Sequence, residues 1–244
     1  MFRNRQNLEF KEEDKPCSYF KDRTCDIRYN YMEYCSVQEQ SDMLERGWRR
    51  FGNMHFVPEC SGCNECKTIR IDVEKFKFSK SQKRVFNKNR ETQVYIQKPT
   101  VTYEHIDLFN KYHKYMEDKK GWEENIIDIQ EYQNSYVNGA HDFGKEILYF
   151  RGDDLMAVAL VDIMPSGISA VYCYYDHDFE EFSPGKFSIL AQISIAKQLK
   201  IKYLYLGYWI KDHFSMGYKE FYKPFEILQN RPKLDEDTIW SYYE

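Results

Sequence analysis

The sequence predicts an α+β chain, in which a small cysteine-containing N-terminal module precedes a mixed sheet with helices. Three observations predict it. Six of the seven cysteines fall within residues 17–66, in short broken pieces. From Glu146 onward three strand-like runs follow one another, EILYFRG, DLMAVALVDIM and GISAVYCYYD. Turn signals at Gly152-Asp153 and Pro165-Ser166-Gly167 separate them. A helix pattern after Pro184-Gly185, with Phe187, Leu190, Ala191 and Ser194 on one side, then feeds the strand KYLYLGYWI. Antiparallel strands followed by strand–helix–strand fit α+β rather than a doubly wound sheet.

The elements follow in order. Residues 1–16 are polar and partly extended. GWRRFG at 47–52 is basic and flanked by turn residues. Thr68–Val73 reads as a short strand, and SKSQKRVFNKNR at 79–90 as a basic helix capped by Ser79 or Ser81. Pro99 ends the next extended stretch. Thr102 caps a helix that runs to about Lys120 and stops at Gly121. A further short helix is expected over 126–137. A division into residues 1–98 and 99–244 follows from the change of pattern.

Composition bounds the function. A chain of 244 residues with 42% hydrophobic residues can bury a core, and 21 Tyr and 17 Phe supply much of its volume. No apolar run reaches the roughly 20 residues that a membrane helix needs, and the start MFRNRQNLEFKEEDK has no apolar signal core. No membrane partner is expected. An odd cysteine count with three clustered thiols argues against a disulfide framework and for a reducing, cytoplasmic setting. The net charge is −4, yet Lys67 to Lys98 holds ten Lys or Arg against three acids, a local +7. Phosphate binding needs such a local field rather than a basic total, although a solvated lysine-rich surface has the same signature.

Cys60, Cys63 and Cys66 form a C-x2-C-x2-C run. With Cys17, Cys25, Cys35 or His55 as a fourth ligand they could hold zinc, and thiolates also hold iron–sulfur clusters. Cys17 with the three clustered thiols is the expected set, free thiols being the alternative. Cys173 lies in a strand pattern and belongs to the core. No dinucleotide fingerprint, phosphate loop, G-x-S-x-G elbow or H-E-x-x-H motif is present.

Long ordered pieces carry a resemblance. CSYF with Asp22-Arg23, GWRRFGNMHFVPECSGCNECKTIRIDVEKF, SKSQKRVFNKN, GISAVYCYYDHD, FSPGKFSILAQISIAK and YLYLGYWIKDHFSMGYKEFYKPFEIL span nearly the whole chain. They are similar to the aminoacyl-tRNA–protein transferases, and more closely to the short bacterial aspartate/glutamate leucyltransferase branch. The resemblance implies a cysteine-containing N-terminal domain and an N-acetyltransferase-like C-terminal domain. It implies transfer of an amino acid, leucine in the bacterial branch, from charged tRNA to the N-terminal amine of proteins beginning with Asp or Glu, which marks them for degradation. Arginyl transfer, a coenzyme A-dependent N-acyltransferase and a non-catalytic zinc-containing RNA-binding module are the alternatives.

Such chemistry requires no cofactor. Ester aminolysis needs alignment of amine and carbonyl and stabilisation of an oxyanion. The strand edges Ser169–Tyr175 and Tyr205–Tyr208 are expected to line the junction, with Ser169, Tyr172, Tyr205 and Tyr208 as the catalytic candidates. Arg49, Arg50 and Lys219 are expected to hold the acidic acceptor side chain, because a carboxylate suits a guanidinium fork. Lys80, Lys83, Arg84, Lys88 and Arg90 are expected to meet tRNA phosphates, and a free 3′ end to stack on Tyr or Trp48.

Overall fold

A computed structural model describes residues 7–243, and residues 1–6 of the expected extended start lie outside the described residues. The N-terminal module is ordered as a sheet rather than as irregular pieces. Strands β1 (Asn7–Pro16), β2 (Thr24–Met32), β3 (Arg49–Phe51) and β4 (Met54–Pro58) form one antiparallel sheet in the order β1-β2-β4-β3. Helix α1 (Val37–Glu45) lies between β2 and β3 and starts with a capping box, Ser36 and Glu39 satisfying each other's backbone N–H groups. The exposure of nearly all of β1 and the brevity of β3 and β4 hide the period-2 pattern in the sequence.

The second sheet has eight strands. They are β5 (Lys67–Asp72), β6 (Gln93–Gln97), β7 (Gly144–Arg151), β8 (Asp154–Met164), β9 (Gly167–Tyr175), β10 (Tyr203–Trp209), β11 (Phe225–Leu228) and β12 (Trp240–Tyr242). Their spatial order is β12-β11-β5-β10-β9-β8-β7-β6. Only β9 and β10 run parallel, joined by helix α5 (Pro184–Gln198), and the sheet is mixed as the α+β expectation requires. The sheets do not divide at 98/99. β5 and β6, on the N-terminal side of that boundary, pair with β10, β11 and β7 of the larger sheet.

The local signals hold where side chains dictate them. Helix α2 (Lys80–Lys88) opens with a capping box at Ser79 and Gln82. Helix α3 (Tyr103–Lys120) is capped by Thr102 and ends on Gly121 in the left-handed region. The expected 126–137 helix is shorter, α4 (Ile129–Tyr132), and widens into a π-turn over Gln133–Val137. On β8, Ala157 and Ala159 face Phe187 and Leu190 of α5, while Val158 between them faces Ile106 and Phe109 of α3. The two helices therefore cover opposite faces. On β10, Leu204 and Leu206 join the α5 side, whereas Tyr205 packs with Met32, Leu44 and Trp48. The N-terminal module thus shares α3's side of the sheet.

One ion pair fixes the module there. Arg50 of β3 forms a fork on Asp162 of β8, Nε donating at 3.0 Å and Nη2 donating to the other oxygen. Both side chains are buried, at 5% and 0% exposure. Gln40 donates to Asp162 at 2.9 Å, and His55 Nε2 lies 2.8 Å from Gln40 Oε1. Burial beside Arg50 holds the His55 pKa down to about 3, so the ring stays neutral. The β3–β4 turn touches the π-turn at Gly52, where the backbone is left-handed (φ +54°) and any Cβ would collide with the Asn134 carbonyl.

Removing one partner of a buried pair strands the other charge, at a cost of about 3–5 kcal/mol. Arg50→Met is expected to lose that amount in denaturant unfolding. The joint variant Arg50→Met with Asp162→Leu is expected to regain most of it.

Candidate active site

The parallel pair makes the site. Its ladder consists of two register positions, Leu204 with Ile168 and Tyr205 with Ser169. Beyond them the strands part. β10 bulges between Tyr205 and Gly207 against β5, and β9 shifts register opposite Leu160 and Val161. The facing edges of residues 170–175 and 206–209 consequently have main-chain groups without a strand partner across the gap. Gly207 takes φ +78°, a conformation that favours glycine.

β3 lies over this opening. Period-2 alternation turns Arg50 to its ion pair and sends Arg49 and Phe51 the other way. A Cβ on Gly207 would sit 3.6 Å from Arg49 Nε and 3.9 Å from Lys219 Nζ. Arg49 donates from Nη1 to the Trp48 carbonyl at 2.9 Å, but its buried Nε and Nη2 have no partner among the described residues. Its guanidinium lies 5.8 Å and 5.7 Å from the Tyr205 and Tyr208 rings. Lys219, on the 3-10 turn Gly217–Phe221, donates to the Tyr208 carbonyl. Burial and the adjacent Arg49 charge pull the Lys219 ammonium down to about 7. Two buried cations with spare donors call for an anion.

Phe51 forms the other wall. Its ring centroid lies 6.2 Å from Tyr172, 5.9 Å from Tyr136 and 5.6 Å from Phe56. Tyr172 stacks on Tyr136 at 5.6 Å, and its hydroxyl lies 2.9 Å from His113 Nε2. Burial lowers the His113 pKa to about 4, which keeps this ring neutral. His113 Nδ1 is buried without a partner among the described residues. The gap therefore has a cationic side and an aromatic side.

The expected site residues separate in the structure. Ser169 sits buried at the closed end of the gap and Tyr172 at its open part. Tyr205 and Tyr208 leave it: Arg70 donates to the Tyr205 hydroxyl at 3.2 Å, and the Tyr208 hydroxyl donates to the Gly47 and Phe56 carbonyls at 2.9 Å and 3.3 Å. Burial raises both phenols, Tyr205 to about 12. These tyrosines clasp the module, and their main chain rather than their hydroxyls faces the opening. Arg49 and Lys219 meet as expected, whereas Arg50 is consumed by Asp162 and, through Nη1, the Gly52 carbonyl at 3.1 Å. Trp48 is core, 7% exposed, and offers no stacking face. Phe51, Tyr136, His113 and Gly207 escaped the sequence reading; the glycine between Leu206 and Tyr208 in an apolar strand was the available signal.

The basic residues lie elsewhere. α2 packs its Val85 and Phe86 side toward α5 and turns Lys80, Lys83, Arg84 and Lys88 outward. The helix has no acid of its own. Arg90, just beyond it, donates to Asn87 at 3.1 Å. At the cysteines, burial and the nearby Cys17, Cys60 and Cys63 push the Cys66 thiol up to about 12. Arg23 approaches Cys63 Sγ at 3.5 Å, and the Asp26 N–H approaches Cys60 Sγ at 3.4 Å. Among the described residues no group of three or more His, Cys, Asp or Glu is gathered so as to hold a metal ion.

Known proteins share this chain. A family model described as the N terminus of arginine-tRNA-protein transferase matches residues 15–84, and one for its C terminus matches residues 104–229. The chain belongs to the aminoacyl-tRNA–protein transferases. An aspartate/glutamate leucyltransferase of Helicobacter hepaticus is 47% identical over 97% of this chain and 98% of its own. One from Campylobacter jejuni subsp. jejuni is 44% identical over 92% and 95%, and one from Pseudomonas syringae 35% identical over 88% and 91%. The chain is thus an aminoacyltransferase that moves an amino acid from aminoacyl-tRNA to a protein N-terminus. No helix among the described residues is long and apolar enough to cross a membrane.

The depressed Lys219 carries a sign. The unfolded chain has an ordinary lysine near 10.5, so between about 7 and 10.5 it binds more protons than the folded chain. This group's cost is fully present below about pH 7, and stability rises with pH through that window. Lys219→Met is expected to raise the thermal midpoint at or below about pH 7, to flatten the rise above it, and to weaken transfer. A melting series across pH checks it.

Proposed function

We propose that this transferase moves leucine from leucyl-tRNA to proteins beginning with Asp or Glu, so that they enter an N-terminal degradation route in the cytoplasm. The observation that carries the acceptor half is Arg49, buried with Nε and Nη2 unpartnered beside Lys219. An acceptor carboxylate answers both cations, and a neutral or basic side chain leaves them desolvated and unpaired. The leucyltransferase names of the relatives support the donor half, and the rings of Phe51, Tyr136 and Tyr172 suit an apolar chain.

The chemistry then needs little more than placement. The acceptor α-amine has an ordinary pKa near 7.7–8.0, so a useful fraction is neutral near pH 7. It attacks the ester carbonyl, the new amide bond forms, and the tRNA ribose oxygen leaves with the proton that the amine gives up. The unpaired strand-edge N–H groups at the β9–β10 gap would face the oxyanion. Tyr172, oriented by His113, is the hydroxyl at hand. The outward cations of α2 take tRNA phosphates, and Arg90 extends them.

The test mixes the protein with leucyl- or arginyl-tRNA and peptides starting with Asp, Glu, Lys or Arg. Mass spectrometry is expected to show one leucine added to the Asp and Glu peptides. Arginine addition, or addition to the Lys and Arg peptides, would reject this donor or acceptor assignment. Arg49→Gln is expected to raise the acceptor KM roughly 10- to 100-fold, the value of a hydrogen bond to a charged group. Lys83→Glu with Arg84→Glu is expected to weaken tRNA binding and flatten its salt dependence by about two phosphate contacts.

A further inference from the structure

Phe214 and Phe221 are among the most exposed apolar side chains described, at 78% and 72%. A scattered exposed ring is ordinary, but these two sit on a backbone pinned from several sides. His213 Nε2 lies 3.1 Å from the Tyr19 carbonyl, and the Ser215 N–H donates to His213 Nδ1 at 3.3 Å. Trp209 Nε1 donates to the Gly217 carbonyl at 3.3 Å. The rings are therefore displayed on a fixed support. Phe221 has no ring neighbour among the described residues, and one side of Phe214 lies against His213 at 4.6 Å.

Their position is what matters. Phe221 is two residues from Lys219 on the same 3-10 turn, which turns the lysine inward to the gap and the ring outward. Gln82 of α2 donates to the Phe221 carbonyl at 3.2 Å. The basic helix thus abuts the turn whose inner side reaches Arg49. From outside inward the order is cations, bare ring, then the amine–ester junction.

We propose that Phe221 is a stacking platform for the unpaired 3′ end of the donor tRNA, with Phe214 of the same loop region as a second exposed ring. This rests on the tRNA-dependent reading above. Phosphate contacts on α2 hold the duplex end, and rings of any sequence preference accept the unstacked bases that follow, because every base has a π-face. The charge of α2 favours a polyanion over the acceptor peptide as occupant.

Transfer is measured with charged tRNA and acceptor peptide varied independently, for the wild type and for Phe214→Ala, Phe221→Ala and Phe221→Trp. Both alanine variants are expected to raise the KM for charged tRNA roughly 5- to 100-fold, the span of one stacked base. Peptide KM and thermal midpoint stay unchanged. Phe221→Trp is expected to bind more tightly than the alanine variant, with fluorescence quenched by uncharged tRNA and by a single-stranded ACCA tetranucleotide. An unaltered tRNA KM, or a change confined to the peptide KM, overturns the platform. A wild type inactive with every charged tRNA would instead strike the transfer reading, and the tryptophan quench would still decide the platform by itself.

Discussion

The Arg50–Asp162 pair is the constraint on which the site depends. Asp162 is fully buried in β8, and its charge is tolerable only while Arg50 and Gln40 answer it. That requirement draws β3 of the small sheet onto the large one. Strand geometry does the rest, because neighbours on a strand point opposite ways. Committing Arg50 to the pair commits Arg49 and Phe51 to the β9–β10 gap. Gly52 completes the seat by letting the turn touch the π-turn backbone.

The site is built from what the fold leaves unsatisfied. Two parallel strands that separate after Tyr205 and Ser169 leave main-chain groups without a strand partner across the gap. Arg49 retains two buried N–H groups without partners, and Lys219 is held where its charge is disfavoured. A buried unpaired cation opposes stability. It lies beside a bulge at which Gly207 takes a positive φ. The aromatic wall has the opposite character, apolar apart from the hydrogen bond between Tyr172 and His113.

Local chemistry made much of the chain legible. Ser79 and Gln82, Thr102 and Gly121 each fix an end of α2 or α3 through caps formed within a few residues, so their bounds could be read directly. The Gly152-Asp153 turn did the same for β7 and β8. By contrast β2 to β4 look broken along the chain, since β2 pairs with β4 across about thirty residues and β3 has only three residues.

Sequence alone suffices for the α+β class, the basic face of α2 and, through long ordered motifs, the family. Each depends on neighbours along the chain or on composition. Which of two adjacent arginines is left without an ion pair depends on long-range packing. Arg49 and Arg50 are identical as residues, and nothing near them in sequence tells one from the other. Asp162, more than a hundred positions away, takes one fork and leaves the other facing the gap. The same holds for Tyr205 and Tyr208, whose hydroxyls are claimed by Arg70 on the neighbouring strand β5 and by the Gly47 and Phe56 carbonyls of the N-terminal module.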